Sequence, residues 1–309
     1  MEQRHDDGRG ETGTGTAIIF SGEWRVESGE LRVESGELRV ESKIKQLMKI
    51  YFASDVHLGN RYLQNPMDAE KKLVRWLDEI KNDAAAVYFL GDVFDYWYEY
   101  KYVVPRGHVR FLGKLAELSD LGIEIHLFIG NHDIWMFDYL PQEIGAIIHQ
   151  KPITIELLGK KFFLGHGDEV GNYPFKYRMI QRIFRCRFNQ ILYSTIHPYW
   201  TFGFARRWSL SSRKSGLAAE RLEKTIERNK KLLEDFSKSH LLSNPDISFF
   251  VFGHLHIMLD EEISGMEQNA SEMESTGNSA RLLIIGDWIQ HFSYAEWDGE
   301  TMKLKEFES

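Results

Sequence analysis

One cysteine, Cys186, stands in 309 residues, so the chain can form no internal disulfide. A chain without disulfides fits a reducing compartment. No stretch approaches the roughly 18 consecutive apolar residues that a membrane-spanning helix needs. The early apolar run Ala17 to Phe20 is too short for the core of a secretory signal. An excess of positive charge is missing as well. Thirty-eight Lys and Arg stand against 46 Asp and Glu, a net −8 that argues against a general nucleic-acid coat. Apolar residues are 43% and charged residues 27%, which excludes collagen-like, wholly disordered and disulfide-scaffold classes. The expectation is a soluble, cytoplasmic protein with ample chain for a buried core.

The first 47 residues differ from the rest. Residues 22–42 read GEWRVES-GELRVES-GELRVES, three near-copies of a seven-residue unit. Their apolar positions fall two apart (Leu31 and Val33, Leu38 and Val40) and each unit opens with Gly, so no coiled-coil seam forms. Met48 then opens MKIYFASDVHLG, a Lys followed by a buried-strand pattern. Residues 1–47 are therefore expected to be a mis-assigned start or a disordered tail, and residues 48–309 the folded domain.

From residue 49 the pattern alternates strand and helix. Ile50 to Ala53, Ala85 to Leu90 and Ile123 to Ile129 read as buried strands. Leu73, Trp76, Leu77 and Ile80, and then Phe111, Leu112, Leu115 and Leu118, recur at helical spacing. Residues 152–158 and 161–166 read as a hairpin, 173–242 as long, helical and aromatic. Strands return at 247–252, 255–263, 281–288, 291–298 and 301–307, with a Ser-, Glu-, Asn- and Gly-rich loop over 264–280. The pattern predicts an α/β core with mixed sheets, interrupted by a helical insertion.

Five predicted strand ends carry polar residues of one chemical kind. They are Asp55-Val56-His57, Gly91-Asp92-Val93-Phe94-Asp95, Gly130-Asn131-His132-Asp133, Gly165-His166-Gly167-Asp168 and Gly253-His254-Leu255-His256. Loops at the carboxyl ends of strands are where α/β sheets bind ligands, and glycines there let the backbone approach a metal or phosphate closely. The donors are imidazole nitrogens, carboxylate oxygens and one amide oxygen. Without sulfur among them, Mn²⁺, Fe²⁺ or Zn²⁺ is favoured over Cu(I) or an iron–sulfur centre. Asp95 and Asp168 read equally as hydrogen-bond partners of these histidines or as turn caps. Asp287 reads as a strand-end turn that could approach the site. His108, His126, His149, His197, His240 and His291 read as surface or satisfied core histidines.

The order D-x-H, GDxxD, GNHD, GHGD, GHLH resembles that of the calcineurin-like binuclear metallophosphoesterases over roughly residues 48–307. The resemblance implies a four-layer αββα sandwich of two mixed sheets, with two divalent metal ions, expected to be Mn²⁺, at one edge. It places Asp55, His57, Asp92 and His256 on one ion and Asp92, Asn131, His166 and His254 on the other. Asp92 would then bridge two cations about 3.5–4 Å apart. It further implies that water activated by the ions attacks phosphorus, that Asn131 and His132 meet the substrate, and that Asp133 orients the His132 ring.

Overall acidity hides a local asymmetry. Residues 170–219 contain nine Lys or Arg and no Asp or Glu, and they are rich in Tyr, Phe, Trp, Ile and Leu. That composition suits a surface meeting anionic lipid or an amphiphile; aromatic packing onto the core with solvated arginines is the ordinary alternative. A helical insertion over 170–242, between GHGD and GHLH, resembles the lid of the UDP-2,3-diacylglucosamine hydrolases within that family. GDVFDYW (91–97) and Gly286-Asp287-Trp288-Ile289 add to the likeness. The likeness implies hydrolysis of the pyrophosphate bond to UMP and 2,3-diacylglucosamine 1-phosphate in lipid A biosynthesis. It also implies peripheral contact with the anionic inner membrane, no nucleic acid and no obligate protein partner. Arg206, Arg207, Ser212, Arg213 and Lys214 are the lid candidates for substrate contact. The best-known members carry Arg where this chain has His132. The alternative is a metallophosphoesterase of another phosphodiester or nucleotide, since fold does not fix substrate.

Overall fold

Period-two alternation of large apolar residues dictates how the strands stack. In β1 (Lys49–Ala53), Ile50 and Phe52 point to one side and Tyr51 and Ala53 to the other, and all four are buried. β7 (Ile247–Phe252) divides Phe249 and Val251 from Phe250 and Phe252 in the same way. Strands buried on both faces need a layer on each side. The computed structural model describes residues 48–60, 65–201, 203, 219–265 and 278–308. The repeat segment 1–47, the lid candidates Arg206, Arg207, Ser212, Arg213 and Lys214, and most of the loop expected over 264–280 lie outside the described residues.

The first sheet has the order β11-β10-β1-β2-β3-β4. Here β2 is Ala84–Phe89, β3 Glu124–Phe128, β4 Ile147–His149, β10 Ser293–Trp297 and β11 Met302–Glu306. β1 to β4 run parallel, and β10 and β11 add antiparallel on the free side of β1. The second sheet has the order β5-β6-β7-β9-β8. Its strands are β5 (Ile153–Leu157), β6 (Lys160–Leu164), β7, β8 (Met258–Ser264) and β9 (Ser279–Ile285), with β6, β7 and β9 parallel. Both sheets are mixed, as expected.

Three cores separate four layers. Phe52, Tyr88 and Phe128 of the first sheet pack on Phe162, Phe249, Val251 and Leu283 of the second. Fully burying one such ring contributes about 1.5–3 kcal/mol. On the far side of the first sheet lie α1 (Pro66–Ile80), α2 (Val109–Asp120) and α3 (Tyr139–Ile144), through Leu73, Trp76, Leu77, Phe111, Leu115 and Leu140. On the far side of the second sheet, α6 (Ala219–Ser243) buries Leu233 and Leu241 against Phe163, Phe250, Phe252 and Ile284. The helical stretch also contains α4 (Phe175–Arg185) and α5 (Arg187–Ser194), separated by extended backbone at Cys186 (φ −70°, ψ 118°). No helix among the described residues is long and apolar enough to cross a membrane.

The structure departs from the sequence reading at a few points. α3 and β4 fall where the pattern showed no element; six and three residues are too short to display a period. The strand expected from 255 starts only at Met258, because His254 and His256 hold left-handed φ of 69° and 53°. The strand expected to reach 288 ends at Ile285, before Gly286 at φ 93°. Those interruptions position the site. The parallel strands β1, β2, β3, β6, β7 and β9 all end at glycine- or aspartate-bearing loops that converge on one another.

Candidate metal centre

Asp92, after β2, is the hub. Its Oδ2 lies 3.7 Å from His57 Nε2 on one side and 3.5 Å from His166 Nε2 on the other. Asp55 Oδ1 lies 3.8 Å from His57 Nε2 and 3.4 Å from His256 Nε2. Asn131 Oδ1 is 3.4 Å from His166 Nε2, and the His254 ring stands 5.0 Å from the His166 ring. Asp55 with His57 and His256, and Asp55 with Asp92 and His166, each gather ligand atoms within 4.8 Å of one another. A third such group joins His57 and Asp92 to His132. All seven donors expected from the sequence thus come together.

The backbone is bent to achieve this. Asp55, His57, Asp92, His254 and His256 all have φ between 48° and 69°, a region costing a non-glycine residue about 1–3 kcal/mol and typical of functional sites. Gly130 and Gly253 are required by close approach. A Cβ on Gly130 would run into the Asp92 carboxylate, and one on Gly253 into Ser54 and Asp55.

Hydrogen bonds fix which ring nitrogen faces inward. His166 Nδ1 donates to the Leu90 carbonyl at 2.8 Å; a carbonyl only accepts, so Nε2 carries the lone pair. His256 Nδ1 lies 3.1 Å from Asp287 Oδ2, again leaving Nε2 for the cluster. Asp55 Oδ2 accepts from Ser54 Oγ and from the His254 amide, both at 2.7 Å, while Asp92 Oδ1 accepts from the His132 amide at 2.8 Å.

Burial disfavours charge throughout, yet Asp55 and Asp92 are held below the usual carboxylate range by the surrounding imidazoles. For His57, burial acts downward, but Asp55, Asp95 and Asp92 overcome it and raise the ring to about 9. His254 moves the other way, to about 4, through burial and then the neighbouring His166. The carboxylates therefore stay ionised and draw positive charge to themselves, either protons on the rings or a cation that displaces them. Asp55 Oδ1 and both nitrogens of His57 are buried with no hydrogen-bond partner. Buried polar atoms left this way want a ligand, and these oxygen and nitrogen donors fit a divalent cation.

Two expected roles change. Asp133 does not orient His132: fully buried, it accepts from the amides of Val93, Phe94 and Gly130 at 2.8, 3.2 and 2.8 Å. His132 is oriented instead by Asp95, whose carbonyl accepts from Nδ1 at 3.0 Å. Asp168 reaches away from the histidines to α4, accepting from Gln181 Nε2 at 2.6 Å with Arg185 at 3.6 Å. Asp95 is a histidine partner, with Oδ1 3.6 Å from His57 Nδ1. Asp287 serves both readings at once, since its Oδ1 also accepts from the amides of Ile289, Gln290 and His291. His126 and His149 pair with each other at 2.9 Å, as satisfied histidines. Sequence reasoning missed Ser54 and Glu169. Glu169 Oε1 accepts from the His166 amide and Oε2 from the Gly167 amide; its place directly after GHGD was the available signal.

Carboxylates and imidazoles converging at strand ends around one shared carboxylate make this the centre of a metal-dependent hydrolase. The model of the calcineurin-like phosphoesterases matches residues 48–258, and the chain belongs to that family. It is 44% identical over 275 residues to the UDP-2,3-diacylglucosamine hydrolase of Porphyromonas gingivalis, covering 84% of this chain and 98% of the relative. Proteins of the same name match from Hahella chejuensis, 30% identical with 83% and 96% covered, and from Ectopseudomonas mendocina, 25% identical with 84% and 98% covered.

Proposed function

We propose that this chain hydrolyses the pyrophosphate bond of UDP-2,3-diacylglucosamine to UMP and 2,3-diacylglucosamine 1-phosphate (lipid X) in lipid A biosynthesis. The observation that carries the reading is the 44% identity to a protein of that name, extending over nearly all of the relative's length. In this reading Asp55, His57, Asp92 and His256 hold one Mn²⁺, and Asp92, Asn131, His166 and His254 hold the other. When bound, the two ions supply Lewis-acid polarisation of the phosphoryl oxygens and an activated water.

The chain's own residues do the rest. Asp92 sets the spacing, and Leu90 and Asp287 hold two imidazoles in the donor tautomer. His132, with Nδ1 committed to the Asp95 carbonyl, offers Nε2 to the phosphoryl oxygens or the leaving group. Asn131 meets the substrate beside it. The 170–242 insertion acts as the lid. Phe175, Ile183, Phe188 and Ile191 are exposed on α4 and α5, a surface suited to acyl chains. Arg206, Arg207, Ser212, Arg213 and Lys214 would hold the phosphate and sugar, and the protein would work peripherally on the cytoplasmic face of the inner membrane.

Incubation with Mn²⁺ and UDP-2,3-diacylglucosamine in H₂¹⁸O, followed by phosphorus NMR and mass spectrometry, is expected to give lipid X and ¹⁸O-labelled UMP. Hydrolysis of a generic phosphodiester without turnover of this substrate would discard the lipid reading and keep the metal centre. Asp287→Ala, which removes the partner of His256 Nδ1, is expected to lower metal affinity or kcat about 10–100-fold. Metal content after dialysis and kcat at saturating Mn²⁺ separate the two effects.

A further inference from the structure

Two acid-free stretches far apart in sequence meet in the structure. One is 170–219. The other is 100–116, which carries Lys101, Arg106, Arg110 and Lys114 and no Asp or Glu. Lys114 is neutralised by Asp78 and Glu117; among the described residues no ion pair joins Lys101, Arg106 or Arg110 to a carboxylate, the Arg110 guanidinium reaching the Met67 sulfur while its amide donates to Glu70. Between these cations Tyr102 is 85% and Val109 76% exposed, with Val103 half out of the protein. The loop is fastened to the helical insertion at its base. The Tyr100 and Thr201 hydroxyls are in contact, and Tyr98 donates to the Gln190 carbonyl at 2.7 Å. Immediately before Thr201 stand Tyr199 and Trp200, 74% and 69% exposed, and Ile196 is exposed as well. Exposed rings and aliphatics of both segments therefore lie within a few residues of a shared contact.

We infer that the 101–110 loop and the Ile196–Trp200 segment form one composite surface that docks on an anionic lipid bilayer. The inference rests on the reading of the substrate as membrane-borne, and it places a second contact element outside the insertion. Cations free of carboxylates match anionic headgroups, and exposed Tyr and Trp beside aliphatics suit the boundary between headgroups and acyl chains. A second copy of the chain is the poorer occupant, because a two-fold contact sets the same patch against itself and cation against cation. Val103, Val109 and Ile196 add an aliphatic share that suits acyl chains and that a base-stacking groove does not use.

The test is co-sedimentation of the full chain with vesicles of phosphatidylethanolamine and phosphatidylglycerol, against phosphatidylcholine vesicles. Wild type is expected to bind the anionic vesicles, less so as salt rises. The double variant Lys101→Gln/Arg106→Gln is expected to bind them about tenfold or more weakly. Tyr102→Ser/Val103→Ser should weaken binding at high salt, where the apolar part carries it. Mn²⁺-dependent hydrolysis of bis(p-nitrophenyl) phosphate should match wild type in both, showing the fold intact. Undiminished vesicle binding in both variants would overturn the inference. So would a wild-type dimer, seen by size exclusion, that Tyr102→Ser/Val103→Ser converts to monomer. Turnover of detergent-dispersed UDP-2,3-diacylglucosamine, read without vesicles, tests the substrate separately; its absence with vesicle binding intact removes the substrate reading and leaves the docking surface standing.

Discussion

Asp92→Ala is expected to abolish metal-dependent hydrolysis, lowering kcat by more than about 10³-fold, at least what losing one preorganised electrostatic contact to a transition state costs. The reason is geometric. One oxygen, Oδ2, lies between His57 and His166, so its removal takes a donor from both halves of the centre at once. The other oxygen accepts the His132 amide, so the same change frees the loop that carries Asn131 and His132. Asp92→Asn keeps the shape and the amide acceptor but loses the charge, and is expected to be nearly as inactive. Metal analysis after dialysis should show loss of bound metal in both variants, with circular dichroism unchanged in Asp92→Asn. Wild-type turnover in either would remove the shared-carboxylate arrangement.

Asp133→Ala is expected to act on stability rather than on chemistry. It strips the acceptor from three buried amides, those of Val93, Phe94 and Gly130. Each buried donor left unsatisfied costs about 1–3 kcal/mol. Even at the low end the loss is about 3 kcal/mol, a fall in Tm of roughly 6–12 °C for a domain of this size. Asp133→Asn keeps one acceptor oxygen and should fall between. Calorimetry decides the matter: a variant that melts like wild type but loses kcat would return Asp133 to the role of orienting His132.

The candidate metal donors were legible as a group because each follows a predicted strand end, four of the five ends being marked by glycine. Strand ends are where continuous apolar runs stop, and such runs are the strongest signal a sequence gives. The α/β core with mixed sheets was legible for the same reason, while the αββα layering came from the family resemblance of the motif order. What escaped is contact between residues of no shared pattern. The placing of Asp133 under Val93 and Phe94, 40 and 39 residues earlier, follows from where β2 and β3 lie side by side. Spacing within GNHD says nothing about it. Asp168 likewise looked like part of the histidine set, yet its partner Gln181 lies 13 residues on, across the turn into α4. Short elements such as β4 were missed because three residues show no period.

The bond pattern at β1 also bears on how the protein is born. Asp55 receives the amide of His254, 199 residues downstream, and its carbonyl receives the amide of Trp288. Among the described residues, one flank of β1 is closed by β10. Synthesis runs from the N-terminus, so β1 waits with that flank open until β10 has been made. An open strand edge is an invitation to pair wrongly. Hydrolytic competence thus waits on distant partners, and a message truncated before Asp287 yields a chain with neither His256 anchored nor β1 covered.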